Sequence, residues 1–174
     1  SVAEGVKMIL SLKRLIAYWI DFVFLATVLV GLQWLLSGIA SGFPFRFFDK
    51  GYEIEIWVLF TFSLPVWAYF IWCETHKRQT IGKRWLRLIV TNRKGSKIRF
   101  RQALFRTFIR LLPWELTHLI ILVPDPWWTA EQAGNRPWIY IPNLLIVIYV
   151  AVLFANKGKR GVHDYMAKTT VKPL

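Results

Sequence analysis

Long apolar runs alternate with basic, polar segments along the chain, and the length of these runs predicts membrane-spanning helices. A helix rises about 1.5 Å per residue, so about 20 apolar residues cross the roughly 30 Å hydrocarbon layer of a bilayer. Residues 15–36 form one such run, interrupted only by Asp21 and Gln33. Residues 56–72 and 138–155 form two more, and neither contains a charged residue. The pattern therefore predicts at least three spans.

A fourth apolar stretch, residues 108–123, is short and contains Arg110, Glu115 and His118. Its hydropathy alone is compatible with a re-entrant or interfacial helix as well as with a span. Hydropathy therefore leaves the number of crossings open between three and four.

The distribution of basic residues favours four crossings. The N-terminal segment, the 75–107 loop and the segment after Ala155 then share one side, and with Arg110 at the mouth of its span they hold all but three of the 23 Lys and Arg. The three exceptions are Arg46, Lys50 and Arg136. Basic loops stay on the cytoplasmic side of a membrane. We therefore expect both ends of the chain to be cytoplasmic.

Composition fits a membrane protein better than a soluble one. Hydrophobic residues make up 55% of the 174 residues, yet the formal net charge is +13. A soluble domain of this size has too small a core to hide so much apolar surface. Basic groups placed between apolar runs indicate contact with anionic lipid head groups and not with nucleic acid. We expect a single membrane domain over residues 1–174, multi-pass in a cell membrane, specifically a bacterial inner membrane.

The 75–107 loop carries signals of local structure. Residues 85–91 are apolar and rich in β-branched side chains, residues 92–95 form a turn signal, and Ile98 and Phe100 then alternate with basic residues. This pattern predicts a short β-hairpin or amphipathic loop on the membrane surface. The predicted fold class is therefore an all-α integral membrane protein with four transmembrane helices and this small surface element.

Ionisable residues at bilayer depth need a partner or a wet cavity. Arg14 and Asp21 are seven residues apart, so they face the same direction on the first helix, about 10 Å apart along its axis. Asp21 therefore needs a cation from another helix, a bound ion or a proton. A site formed by Asp21, Arg110 and Asp164 would bind a cation or move a proton. A buried Asp21–Arg110 ion pair that only fixes helix register is the equally weighted alternative.

Glu115 and His118 have the spacing of metal ligands in di-iron helix bundles. That architecture requires a second Glu-x-x-His motif, which the chain lacks, so we expect no metal and no cofactor. Phosphate loops, dinucleotide-binding glycine motifs and hydrolase nucleophile motifs are also missing from the sequence. We therefore do not expect an enzyme.

Several motifs resemble the RDD family of membrane proteins, named for one Arg and two Asp. Residues 12–21 are similar to its opening motif, with Arg14 followed by Asp21, and residues 161–171 resemble its C-terminal signature, which supplies Asp164. Residues 79–84 and 99–110 resemble its two loop motifs. The first of these, called the loop motif below, contains Thr80, Gly82, Lys83 and Arg84. One departure is Lys168, where the family more often has Gly.

The resemblance implies a transport-related function, including sodium/proton exchange, with Asp21 and Asp164 as ion or proton carriers and Arg14 as a charge modulator. It is equally compatible with a purely structural triad. Four helices are few for a solitary carrier, so we expect a homo-oligomer or a complex with other membrane proteins. The alternative function is a non-catalytic accessory or scaffold subunit of such a complex.

Overall fold

The computed structural model describes the backbone of residues 2–44, 46–127 and 136–174 and the side chains from residue 9 onward. Within these ranges the chain is mostly helical. In chain order the elements are α1 (Val2–Ile39), α2 (Gly51–Val58), a π-helical turn (Leu59–Ser63), α3 (Leu64–Trp72), a second π-helical turn (Cys73–Lys77), α4 (Ile81–Trp85), β1 (Leu88–Asn92), α5 (Phe100–Leu122), a 3₁₀ turn (Pro137–Ile139), α6 (Tyr140–Ala155), α7 (Val162–Ala167) and β2 (Thr169–Pro173). From α2 to the second π-helical turn the helix is continuous, and it is called helix α2–α3 below.

Three helices are long and apolar enough to cross a membrane: Ile9–Ile39, Gly51–Lys77 and Pro137–Ala155. They contain the predicted spans 15–36, 56–72 and 138–155, so these three predictions are confirmed as helices with the length and hydropathy of a membrane span. The fourth predicted span lies in a helix that begins earlier than expected, because α5 starts at Phe100. The mean hydropathy of α5 is lower than that of the three helices named above.

The low hydropathy of α5 comes from one of its faces. Arg106, Thr107, Arg110 and His118 are buried against the other helices. The side chains exposed on the outer face of α5 are mostly large and apolar, including Leu104, Phe105, Phe108, Trp114 and Leu119. Helix α5 therefore turns its polar residues inward, and its mean hydropathy understates how apolar its outer surface is.

The predicted β-hairpin within the loop is wrong, because the second strand comes from elsewhere in the chain. Strand β1 pairs antiparallel with β2, in a register that aligns Val90 with Val171. The expected turn does form, and the Asn92 side chain accepts hydrogen bonds from the backbone of Lys94 and Ser96. After that turn the chain enters α5 at Phe100, so too few residues remain for a return strand, and the C-terminal segment takes that place.

The two-stranded sheet packs with Leu10 and Ala17 of α1 and with the first turn of α5 into a small apolar core. Its buried members are Leu88 and Val90 of β1 and Val171 of β2, together with Leu10, Ala17, Ile98 and Ala103. This core joins the start of α1, the 78–99 loop and the C-terminal segment at one end of the helix bundle. That end is called the basic end below.

Candidate functional site

A network of buried charges lies at the basic end, and five elements contribute to it. Arg14 comes from α1, Glu74 from the last turns of helix α2–α3, and Lys83 from α4. Arg106 and Arg110 come from α5, four residues apart and therefore on one face. Asp164 and His163 come from α7. The network therefore ties together segments that are far apart in sequence.

Glu74 is the centre of this network. Its Oε1 accepts from Nζ of Lys83 at 2.5 Å and from Nη1 of Arg110 at 2.9 Å, and its Oε2 is 2.9 Å from Nε of Arg106. Glu74 and Arg106 are both fully buried. The Arg110 guanidinium also stacks on the ring of Phe70, 4.0 Å from its centroid. One carboxylate thus contacts three cations, and pairing of this kind offsets part of the cost of burying such groups.

Asp164 is the second anionic centre. Its Oδ2 accepts from Nη2 of Arg14 at 2.5 Å, and its Oδ1 contacts Nη1 of Arg106 and accepts from the Thr169 hydroxyl at 3.0 Å. Its Oδ2 also accepts from the backbone N–H of Gly161 at 2.8 Å, at the start of α7. Arg106 therefore bridges the two carboxylates, Glu74 and Asp164, and joins the whole network.

Burial lowers the pKa of Lys83 and of His163, two groups of this network that lie outside the long helices. Desolvation lowers the pKa of Lys83 to about 8, against the opposing attraction of Glu74. The pKa of His163 is held well below its ordinary value by burial, and then by repulsion from Arg106, Arg14 and Arg110. His163 is therefore neutral at pH 7, and its Nε2 is positioned to accept from Arg14 at 3.3 Å.

Asp21 lies beside this network but does not form an ion pair with any described residue. Its Oδ1 accepts from the Tyr69 hydroxyl at 2.7 Å and from the backbone N–H of Gly82 at 2.8 Å, and its Oδ2 accepts from the Thr80 hydroxyl at 2.5 Å. The Asp21–Arg110 ion pair, one of the two alternatives that the sequence left open, is therefore not formed. Hydrogen bonds satisfy the Asp21 carboxylate in place of a cation, as backbone N–H groups and hydroxyls can.

The loop motif positions α4 against α1. Thr80 caps the N-terminus of α4 by accepting from the backbone N–H of Lys83, while also donating to Asp21. Gly82 sits directly on α1, and a Cβ there would lie 2.1 Å from the carbonyl oxygen of Ala17. Lys83 reaches Glu74, whereas Arg84 is exposed. Three of the four motif residues thus hold the loop to the helices.

Glu115 and His118 belong to a second polar cluster, between α5 and helix α2–α3. Nε2 of His118 is 2.9 Å from Glu115, and Nδ1 is 2.8 Å from Glu55. The Ser63 hydroxyl and the Trp67 indole N–H donate to Glu115 at 2.9 and 2.8 Å. The described residues contain no group of three or more metal-ligating side chains arranged to hold a metal ion.

The structure divides the candidate residues into these two groups. Arg14, Arg110 and Asp164 share the network at the basic end, and Asp21 is attached to it only through the loop. Sequence reasoning missed Glu74 as the common partner of the cations and Glu55 as the second carboxylate on His118. Glu74 directly follows an uncharged apolar run, where a carboxylate is unfavourable unless a cation pairs with it. Arg106 and Arg110 lie on one face of the same helix, and at this depth they need an anionic partner. That combination was the available signal for Glu74.

These features define a helical membrane-type protein whose apolar helices enclose a buried network of Arg, Asp and Glu at one end. The chain belongs to the RDD family, which matches residues 11–168 and thus most of its length. The matched range contains Arg14, Asp21 and Asp164, the residues that the sequence resemblance assigns to the family motifs. No curated protein and no solved structure is significantly similar to the chain.

Proposed function

We propose that the chain crosses the membrane four times, with α5 as the third crossing. At about 1.5 Å per residue the 23 residues of α5 extend about 34 Å, enough for the hydrocarbon layer. Helix α2–α3 ends at the basic end, α5 starts there, and α6 returns to it. Helix α6 must begin on the side of the membrane opposite to the basic end, and the chain reaches that side only if α5 crosses. The inward polar face of α5 explains how a crossing helix can contain Arg110 and Glu115.

The orientation follows from the charges at the basic end. The N-terminal segment, the 75–107 loop and the C-terminal segment meet there and contain most of the basic residues. Basic segments remain in the cytoplasm, so this end and both ends of the chain are cytoplasmic. A cysteine at Lys172 and one at Lys50 test this. In intact cells an impermeant thiol reagent should label only the Lys50 position, and labelling of the Lys172 position would overturn the topology.

Within that topology the protein is a proton-coupled transporter of a monovalent cation. The observation that supports this is the position of His118, whose two ring nitrogens each face a carboxylate. A neutral imidazole has one donor and one acceptor, so both contacts are satisfied only when the ring is doubly protonated or one carboxyl carries a proton. The cluster of Glu55, Glu115 and His118 therefore stores a proton inside the bundle and can take it up or release it.

The test is proton flux in vesicles that contain the purified protein and a pH-sensitive dye. A sodium or potassium gradient should drive proton movement with the wild-type chain. His118→Gln should abolish that flux, because the storing group is gone. Glu53→Gln is the matched control on α2, since Glu53 lies two residues from Glu55 and its carboxylate, among the described residues, accepts a hydrogen bond only from the backbone N–H of Lys50. Wild-type flux no greater than that of empty vesicles would overturn the transport proposal.

A second candidate function, a non-catalytic accessory or scaffold subunit, is favoured by a specific observation. Glu74 and Asp164 are neutralised by cations, and Asp21 is saturated by hydrogen bonds. None of these carboxylates is available as an ion carrier without breaking the network, so the basic end is suited to holding segments together. Mild purification followed by identification of co-purifying membrane proteins distinguishes a complex subunit from a homo-oligomer.

A further inference from the structure

A cavity of about 380 Å³ lies between α1, α5 and α6 and reaches α7 at the basic end. At its inner end it is lined by the cations Arg14, Lys83, Arg106 and Arg110. Farther along, its walls are formed by apolar and aromatic side chains of α1, α5 and α6. Those side chains include Leu15, Trp114, Ile146, Tyr149, Val150 and Leu153. The cavity is therefore amphipathic, with a cationic end and an apolar body.

The cationic end has more positive than negative charge. Four cations face only three carboxylates, Glu74, Asp164 and Asp21, and His163 adds no charge when neutral. The oxygens of Asp21 are already occupied by Tyr69, Thr80 and Gly82. Buried charge without a counter-charge is strongly unfavourable. The network as it stands therefore has room for one further anion.

Unpaired hydrogen-bond donors at this end support that conclusion. Nη2 of Arg106, Nε of Arg110 and Nδ1 of His163 have no hydrogen-bond partner among the described residues. The Arg106 side chain is fully buried and that of Arg110 is 7% exposed. Buried donors of a charged group are rarely left unsatisfied, because their desolvation is not compensated. An oxyanion with several acceptor oxygens would satisfy them.

We propose that this cavity binds the phosphate group of an anionic lipid, with the acyl chains along its apolar walls. Arginine guanidinium groups match phosphate geometry, since their N–H donors form a planar fork. Tyr18, Trp114 and Ile146 line the cavity and are also exposed on the surface of the bundle. The cavity therefore opens sideways, where a lipid can enter. This site and the proposed proton cluster have no side chain in common, so each can be altered by substitution without the other.

The experiment compares lipids on the purified protein in a neutral detergent, with native mass spectrometry and thermal unfolding as readouts. Phosphatidylglycerol should remain bound and raise Tm, because a ligand that binds only the folded state stabilises it. Phosphatidylcholine should do neither. Equal retention of the two lipids would overturn the proposal. Inorganic phosphate distinguishes the source of the anion: stabilisation by free phosphate with no added effect of phosphatidylglycerol would overturn the lipid assignment.

Two substitutions on α6 make the test specific. Ile146→Trp fills the apolar part of the cavity without touching the charge network, and phosphatidylglycerol retention should fall about tenfold or more, as expected when one good contact is lost. Val147→Trp is the matched control, since Val147 is the next residue, is exposed and does not line the cavity. It should retain the lipid as wild type does. Equal retention by both variants would overturn the location of the site.

Discussion

Glu74→Gln is the substitution that most directly tests the charge network at the basic end. It preserves the shape of the side chain and removes its charge, leaving Lys83, Arg106 and Arg110 without their common anion. The amide group of Gln also places a donor where the carboxylate offered an acceptor, so at least one cation loses its hydrogen bond. We therefore expect a large loss of folding stability.

The magnitude follows from burial. An exposed ion pair contributes at most about 1 kcal/mol, since water screens it. Glu74 and Arg106 are fully buried, and the Lys83 and Arg110 side chains are less than a tenth exposed. Removing one partner of a buried pair costs about 3 to 5 kcal/mol, because the remaining charge is uncompensated. Folded domains have about 5 to 15 kcal/mol of stability in total, so the variant should be close to unfolding.

The assay is equilibrium unfolding of the purified protein in a neutral, phosphate-free detergent, which prevents an added anion from replacing Glu74. Glu53→Gln is the control on the same helix and should cost less than about 1 kcal/mol, because its single contact caps the helix start. Lys83→Met in the Glu74→Gln background should recover part of the loss, since it removes one unpaired cation. A loss below about 1 kcal/mol for Glu74→Gln, or no coupling between the two positions, would refute the reasoning.

Three further predictions use the same unfolding assay. Gly82→Ala should lose about 2 kcal/mol or more, because its Cβ would collide with the α1 backbone, whereas Gly31→Ala, with no atom near the added methyl, should be neutral or stabilising. Wild-type stability should fall by up to about 1.4 kcal/mol per pH unit as the pH drops below about 6.5, since unfolding frees His163 to take up a proton that its lowered folded-state pKa excludes. His163→Gln should flatten that dependence, whereas the exposed His76→Gln should not; equal slopes in both variants would contradict the assignment. Lys168→Gly should gain about 1 kcal/mol, because this residue ends α7 in a left-handed conformation that favours glycine; a loss of stability would show that the Lys168 side chain is required.

Apolar run length predicted the helices well where both faces of a helix are apolar. Residues 15–36, 56–72 and 138–155 all lie in helices long enough to cross a membrane. Hydropathy failed for α5 because its inward face carries Arg106, Arg110 and His118, and averaging over the helix hides the apolar outer face. The pairing of β1 with β2 could not be predicted from local pattern, since those strands are separated by two long helices. Pairing between strands so far apart in sequence is determined by tertiary contacts.

The sequence was sufficient to select several residues of the candidate site, but not to predict which residues they pair with. Arg14, Arg110 and Asp164 could be selected because charge next to apolar runs needs a partner. Their actual partners depend on how α4 and α7 fold back onto the bundle. The alternative of an Asp21–Arg110 ion pair is not formed, because Tyr69, Thr80 and Gly82 offer Asp21 three hydrogen bonds. Two of these donors come from a short helix that the sequence pattern indicated only as an amphipathic turn.

The two polar regions can be tested separately because they share few residues. The proposed proton cluster is formed by Glu55 of α2 and by Glu115 and His118 of α5, whereas the cavity is lined by α1, by α4 to α7 and by Phe70 of α3. On α5 the cavity extends from Arg106 to Thr117, about 16 Å along the axis, and His118 is the next residue. A lipid in that cavity would exclude water from the side of the cluster that faces the basic end. Proton exchange through the cavity and permanent lipid occupancy are therefore incompatible, and a transporter with a filled cavity would need a different route for its protons.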